Sequence, residues 1–280
     1  MNVSNLYGSP RHQSFTLGQS SRRVLLLHGF PGTPAELSSL AEFLQAGGLE
    51  ARAPLLPGFG MDIGNLGRTR WQAWVAAART AWEALHGDAE HRDADQTFLV
   101  GFSMGGAVAL GLLADLPPEL RPERLVLIAP FSRLADPRAK LLPLARYALP
   151  QLRPFEKADF SDRVVRAQFG RLEPTLDLDD PAVQAAIRTQ VALPTSSLVE
   201  LQRLGAHAYG AAPRVTVPSL VVQGLGDTTV APADTRRLAL RLGGPLTYAE
   251  LGGTHDLIRP GAAGYEEVLR LLERVLLTRS

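Results

Sequence analysis

From Thr97 to Ala114 the chain carries no charged residue, and within this run stands Gly101-Phe102-Ser103-Met104-Gly105. An uncharged stretch of this length comes close to a membrane span. Gly101 and Gly105 also have the spacing of a small-residue motif that packs transmembrane helices. Ser103 and the Gly105-Gly106 pair break the run, however, and no aromatic or basic belt brackets it. A buried strand over Phe98 to Val100, a sharp turn at Ser103 and a buried helix opening at Gly106 account for the segment better, and no membrane span is expected.

This unit is one of a series. Phe15 and Leu17 alternate with polar neighbours, and Val24 to Leu27 form an apolar run ending in His28-Gly29. Thr33 as N-cap, Pro34 at the first helical position and Glu36 three residues after the cap then predict a helix. Leu37, Leu40, Ala41 and Leu44 continue it at helical spacing until Gly47-Gly48. Glu50 to Pro54 read as a strand, and Trp71 to Leu85 as an amphipathic helix with Trp71, Trp74, Val75, Ala78 and Trp82 inward. Leu125 to Ile128 and Leu220 to Gln223 are further buried strands. The alternation of Leu246, Tyr248 and Leu251 predicts the last strand, and Tyr265 to Leu277 a closing helix. Strands alternating with helices predict an α/β fold, a mostly parallel central sheet with helices on both faces. Between Ser132 and Pro213 the pattern turns to Arg, Pro and short helical segments without a strand signal. The expected organisation is one core domain, residues 1–131 and 214–280, interrupted by an inserted helical cap at 132–213.

A formal net charge of +1 over 280 residues favours neither nucleic acid nor an anionic membrane as partner. With no cysteine, disulfides, thiolate catalysis and Cys-ligated metals are excluded. Residues 1–23 lack a signal-type apolar core, so a cytoplasmic location is expected.

The Gly-x-Ser-x-Gly motif between a strand and a helix is where a nucleophilic serine would stand. A serine hydroxyl must be held clear of the backbone to meet both a base and a substrate. A strand-to-helix reversal exposes it, and flanking glycines relieve the crowding. Of six histidines, His255 is the candidate base, in the loop Gly252-Gly253-Thr254-His255-Asp256 after the last strand. His28 reads as a packing residue, His12, His86 and His91 lie in polar terminal or loop segments, and His207 lies in the insertion. Asp227, just past the Leu220 to Gln223 strand, is the candidate acid, with Asp256 and Asp136 as weaker alternatives. The order Ser103, Asp227, His255 is the order of α/β-hydrolase triads. Two main-chain amides would receive the oxyanion of a tetrahedral intermediate: Met104, which follows the serine, and Phe30, which follows His28-Gly29. Pro31 has no N–H, so Phe30 or Gly32 is the donor in that turn.

With these residues in place, the chain resembles the α/β-hydrolase superfamily. The resemblance is carried by His28-Gly-Phe-Pro-Gly, Gly101-Phe-Ser-Met-Gly-Gly, the Gly224 to Val230 segment and Gly253-Thr-His255. It is nearest the bacterial carboxylesterase and monoacylglycerol-lipase-like branch, from about Phe15 to Ala129 and again from Val217 onward. The resemblance implies a triad of Ser103, Asp227 and His255, oxyanion donors Phe30 and Met104, and no cofactor or metal. It also implies a helical cap over an acyl pocket and a small-molecule ester substrate, a short- to medium-chain ester or monoacylglycerol. A monomer or small homo-oligomer is expected. Two departures stand out: Phe59 replaces a histidine common among relatives, and His28-Gly-Phe-Pro also occurs in epoxide hydrolases and dehalogenases. Those relatives use an aspartate nucleophile where this chain has Ser103. The same triad would serve thioesters, C–C bonds or acyl transfer. A hydrolase-fold small-molecule receptor is the reading of a different class.

Overall fold

The structure, a computed structural model, describes residues 7–87, 96–134, 139, 141–162, 165, 166, 169 and 177–278. Seven strands form one sheet: β1 (Phe15–Leu17), β2 (Arg23–Leu27), β3 (Glu50–Ala53), β4 (Thr97–Phe102), β5 (Arg124–Ile128), β8 (Ser219–Gly224) and β9 (Leu246–Leu251). Their spatial order is β1-β3-β2-β4-β5-β8-β9. Only β1 runs antiparallel to its neighbour; the other pairs are parallel. Parallel neighbours need crossovers, and these place helices on the two faces.

The central strands carry apolar runs in their middles because both faces are covered. Leu25, Leu27, Leu99, Leu125, Leu127 and Val221 enter one core, while Val24, Leu26, Phe98, Val100, Val126, Ile128 and Val222 enter the other. The first core is closed by α2 (Trp71–Gly87), α3 (Met104–Leu113), α6 (Thr195–Ala211) and α7 (Pro232–Ala239). The second is closed by α1 (Ser38–Ala46) and α8 (Tyr265–Leu272). All ten residues of α3 are buried, which explains the uncharged run. Among the described residues no helix is long and apolar enough to cross a membrane.

Several local expectations are corrected. Thr33 does not cap the first helix through its side chain; its hydroxyl lies 2.8 Å from His12 Nδ1, and His12, expected in a polar segment, is fully buried. Glu36 does not close a capping box: its carboxylate accepts the Gly29 N–H. A 3-10 turn over Pro34–Leu37 therefore precedes α1. The closing helix changes to π geometry over Glu273–Leu277. Helix α7 is not among the sequence expectations, because Pro232–Ala239 is mostly polar and carries few apolar residues.

Between β5 and β8 lie α4 (Leu142–Ala148), β6 (Gln151–Leu152), α5 (Pro181–Gln190), β7 (Leu193–Pro194) and α6. The stretch read as strandless thus contains a two-stranded antiparallel ladder, Gln151 opposite Pro194 and Leu152 opposite Leu193. Strands of two residues are too short to show alternation, and their partners lie far apart in sequence. Phe160, Phe169, Leu178 and Ile187 form a small cluster of their own. Leu201, Leu204 and Ala208 of α6 belong instead to the first large core.

Candidate active site

Ser103 occupies a sharp reversal between β4 and α3, at φ 51° and ψ −116°. Its N–H donates to the Ile128 carbonyl at 2.9 Å, and its carbonyl accepts the Phe131 N–H at 3.0 Å, so the turn is tied to the end of β5. A non-glycine residue at positive φ is strained, and persists only where the surroundings enforce it. Glycine at 105 is required by space: a Cβ there would collide with the Leu27 carbonyl. Ser103 is the residue directly before α3, beside the positive end of the helix dipole, and its carbonyl accepts the Gly106 N–H at 3.0 Å.

Asp227 and His255 come from the turns after β8 and β9, strands that pair in parallel register from Ser219–Leu246 to Gly224–Leu251. Both side chains thereby reach the same edge of the sheet as Ser103. His255 Nε2 lies 3.0 Å from Ser103 Oγ, and His255 Nδ1 lies 2.7 Å from Asp227 Oδ2. The Phe102 ring lies against the imidazole with centroids 5.1 Å apart. Asp256 lies 3.6 Å from Arg259, its Oδ2 facing the guanidinium. The other alternative acid, Asp136, falls outside the described residues.

Burial alone would push the Asp227 carboxyl up, but bonds from His255, the Val230 N–H and Gln223 together hold it below the usual carboxylate range. An ionised Asp227 can only accept, so His255 Nδ1 carries the proton and donates it. Nε2 is then left as an acceptor for the Ser103 hydroxyl. This tautomer allows His255 to take the serine proton and then hold two N–H groups, one of them on a carboxylate.

In the facing loop the Gly32 N–H donates to the Gly29 carbonyl at 3.1 Å. Of the two donors left open in that turn, Gly32 is thus occupied, while among the described residues the Phe30 and Met104 amides make no hydrogen bond. The Phe30 ring packs edge-on against Phe59 at 5.7 Å, and Phe59 in turn against His28 at 5.1 Å. Phe59, the departure from the relatives' histidine, is fully buried in this aromatic layer.

The family model of serine aminopeptidase S33 hydrolases matches residues 18–258, spanning every strand of the sheet after β1. The chain belongs to that family. It is a hydrolase of the α/β-hydrolase superfamily, on the lipase and esterase branch. Its sequence is 28% identical to a thermostable monoacylglycerol lipase from Bacillus sp. (strain H-257) over 75% of this chain and 72% of that one. Among solved structures it resembles one from work on LipS and LipT, two metagenome-derived lipolytic enzymes, with a TM-score of 0.74 and 23% identity over 95% of this chain and 98% of the other. The monoacylglycerol lipase of Paleococcus ferrophilus gives a TM-score of 0.69 at 20% identity over 95% of this chain and 98% of that one. These two likenesses are of fold.

Within this S33 hydrolase the remaining histidines have other surroundings. His28 is fully buried; its Nδ1 meets the Gly29 carbonyl at 2.9 Å and its Nε2 accepts the Leu56 N–H at 3.1 Å. Burial lowers its pKa to about 4, so the ring is neutral. His86 lies in the last turn of α2 with Nδ1 2.9 Å from the Trp82 carbonyl, and His207 stacks on Trp71 at 4.5 Å. His91 falls outside the described residues. Two residues at the candidate site, which the sequence marks only as a helix-start residue and a strand end, have partners there. Gln223 Nε2 donates to Asp227 Oδ2 at 3.0 Å, and the Glu36 carboxylate accepts the Gly29 N–H. For Gln223 a signal was available: a polar residue ending the otherwise apolar run Leu220-Val-Val.

Proposed function

We propose that this hydrolase cleaves carboxylic esters through an acyl-enzyme intermediate on Ser103. The observation that carries the reading is the continuous chain from Ser103 Oγ to His255 at 3.0 Å and from His255 to Asp227 at 2.7 Å. In this reading His255 Nε2 takes the hydroxyl proton as Ser103 Oγ attacks the ester carbonyl. The carbonyl oxygen becomes an oxyanion and receives the Phe30 and Met104 N–H groups. Asp227 steadies the imidazolium, which returns its proton to the departing alkoxide and frees the alcohol. Water then enters and attacks the acyl carbonyl as His255 Nε2 takes its proton; the bond to Ser103 Oγ breaks, His255 returns that proton to Oγ, and the acid leaves.

A short- to medium-chain acyl ester, or a monoacylglycerol, is the substrate class we favour. The similarity to the Bacillus sp. (strain H-257) monoacylglycerol lipase supports it. We read residues 132–213 as a cap whose apolar side chains select the acyl or alcohol group; their position between β5 and β8, next to the Ser103 edge, supports this. A chain without cysteine needs no oxidising compartment to fold, which supports a cytoplasmic setting.

The test is hydrolysis of nitrophenyl esters across an acyl-length series, with monoacylglycerols and a matched thioester alongside. Multiple turnover on esters is expected, and its loss in folded Ser103→Ala. Full activity in that variant would overturn the nucleophile, and turnover confined to the thioester would overturn the ester reading.

A further inference from the structure

We propose that Gln223 is a positioning residue for this reaction, and that Thr235 holds it in place; the inference rests on the triad reading above. Four groups converge on the Asp227 carboxylate. Oδ1 accepts the Thr229 N–H at 2.8 Å and the Val230 N–H at 2.9 Å, and Oδ2 accepts His255 Nδ1 at 2.7 Å and Gln223 Nε2 at 3.0 Å. A carboxylate has about four acceptor sites, so this one is full. The two main-chain amides pin Oδ1 alone and leave the group free to pivot about that oxygen. Gln223 supplies the second fixed point, on the oxygen that meets the imidazole.

The orientation of the Gln223 amide is itself determined. Its Nε2 also faces the Gly224 carbonyl at 3.1 Å and the Val230 carbonyl at 3.3 Å, while its Oε1 accepts the Thr235 hydroxyl at 2.6 Å. A flipped amide would set oxygen against two carbonyls and a carboxylate. Gln223 and Thr235 are both fully buried, so water cannot replace a lost bond. The preceding β8 residues Leu220, Val221 and Val222 are apolar and buried; an amide among them is costly unless its bonds are made. Helix α7, which carries Thr235, is joined to the start of the insertion by Asp234 and Arg133, 2.8 Å apart.

The experiment measures kcat and KM on one nitrophenyl ester for Gln223→Met, Thr235→Val, Thr235→Ser and the double variant Gln223→Met/Thr235→Val. Thermal unfolding and the downfield proton resonance of His255 Nδ1–H are recorded on each. Gln223→Met keeps the length and loses the donor; kcat should fall about tenfold or more with KM within about twofold, as for one lost hydrogen bond to a charged group. The resonance should move upfield. Thr235→Val should show a smaller loss of the same kind, and Thr235→Ser should restore kcat. The double variant should be no worse than Gln223→Met alone, since Thr235 acts through Gln223. Wild-type kcat in folded Gln223→Met, or losses that multiply in the double variant, would overturn the inference. If Gln223→Met does not fold, wild-type kcat in Thr235→Val overturns it. Should wild type fail to turn over esters, or Asp227→Asn keep full activity, the proposed function fails instead. The resonance, which needs no substrate, then decides for Gln223: unmoved in Gln223→Met, it sinks the inference.

Discussion

The Gly226 N–H donates to the Gly253 carbonyl across 2.8 Å, fastening the turn that carries Asp227 to the turn that carries His255. Gly253 holds φ 139°, and a Cβ on it would collide with the Ala263 carbonyl. Gly253→Ala should therefore cost about 2 kcal/mol or more of stability and displace His255. Urea unfolding and kcat on a nitrophenyl ester measure the two effects. Unchanged values for both would show that the staple does not position the histidine.

Asp227→Asn should lower kcat on the order of 10³- to 10⁴-fold, because an amide at this position no longer enforces the Nδ1–H tautomer of His255. Asp256→Asn, altering the side chain that faces Arg259, is expected to stay within about twofold of wild type. Initial rates for the two purified variants decide the matter; the reverse pattern would reassign the acid.

The Glu36 carboxylate holds the Gly29 N–H beneath the turn that presents Phe30. Glu36→Ala should loosen that turn and reduce kcat about tenfold, the effect of a less well aimed oxyanion donor rather than a missing one. Steady-state kinetics on a short nitrophenyl ester provide the measurement. A change confined to KM would locate the role of Glu36 in substrate binding instead.

His28 is buried and neutral, with a pKa lowered by burial from 6.5 to about 4. The unfolded chain therefore binds a proton at this residue at a higher pH than the folded chain does. Folding stability from this group is complete above pH 6.5 and declines as pH falls toward 4, by about 3 kcal/mol in all. Urea unfolding of wild type and His28→Gln between pH 7 and about pH 4 should show the slope in wild type and a shallower one in the variant. Equal slopes would mean that His28 does not carry this proton linkage.

Much of the fold was legible because burial leaves periodic marks. The strands Val24 to Leu27, Phe98 to Val100, Leu125 to Ile128 and Leu220 to Gln223 appear as apolar runs, each covered on both faces, and the structure extends each by only one to three residues. The Trp71 helix shows its inner face through Trp74, Ala78 and Trp82, all fully buried. Helix α7 and the β6–β7 ladder left little such mark, one being mostly polar and the other made of two-residue strands. Thr33 and Glu36 had the pattern of a capping box, yet each found a better partner in the fold, His12 for one and Gly29 for the other.

By itself the sequence determined the alternating strands and helices, the glycine-flanked reversal at Ser103, and the strand ends after which Asp227 and His255 stand. These are properties of neighbours along the chain, and local sterics and hydrophobic period record them. Only the tertiary structure decided that these side chains meet, that Gly32 is occupied while the Phe30 amide is not, and that Gln223 and Thr235 lie behind Asp227. Hydrogen bonds join groups by distance in space, and the parallel crossovers of the sheet bring together residues separated by more than a hundred positions.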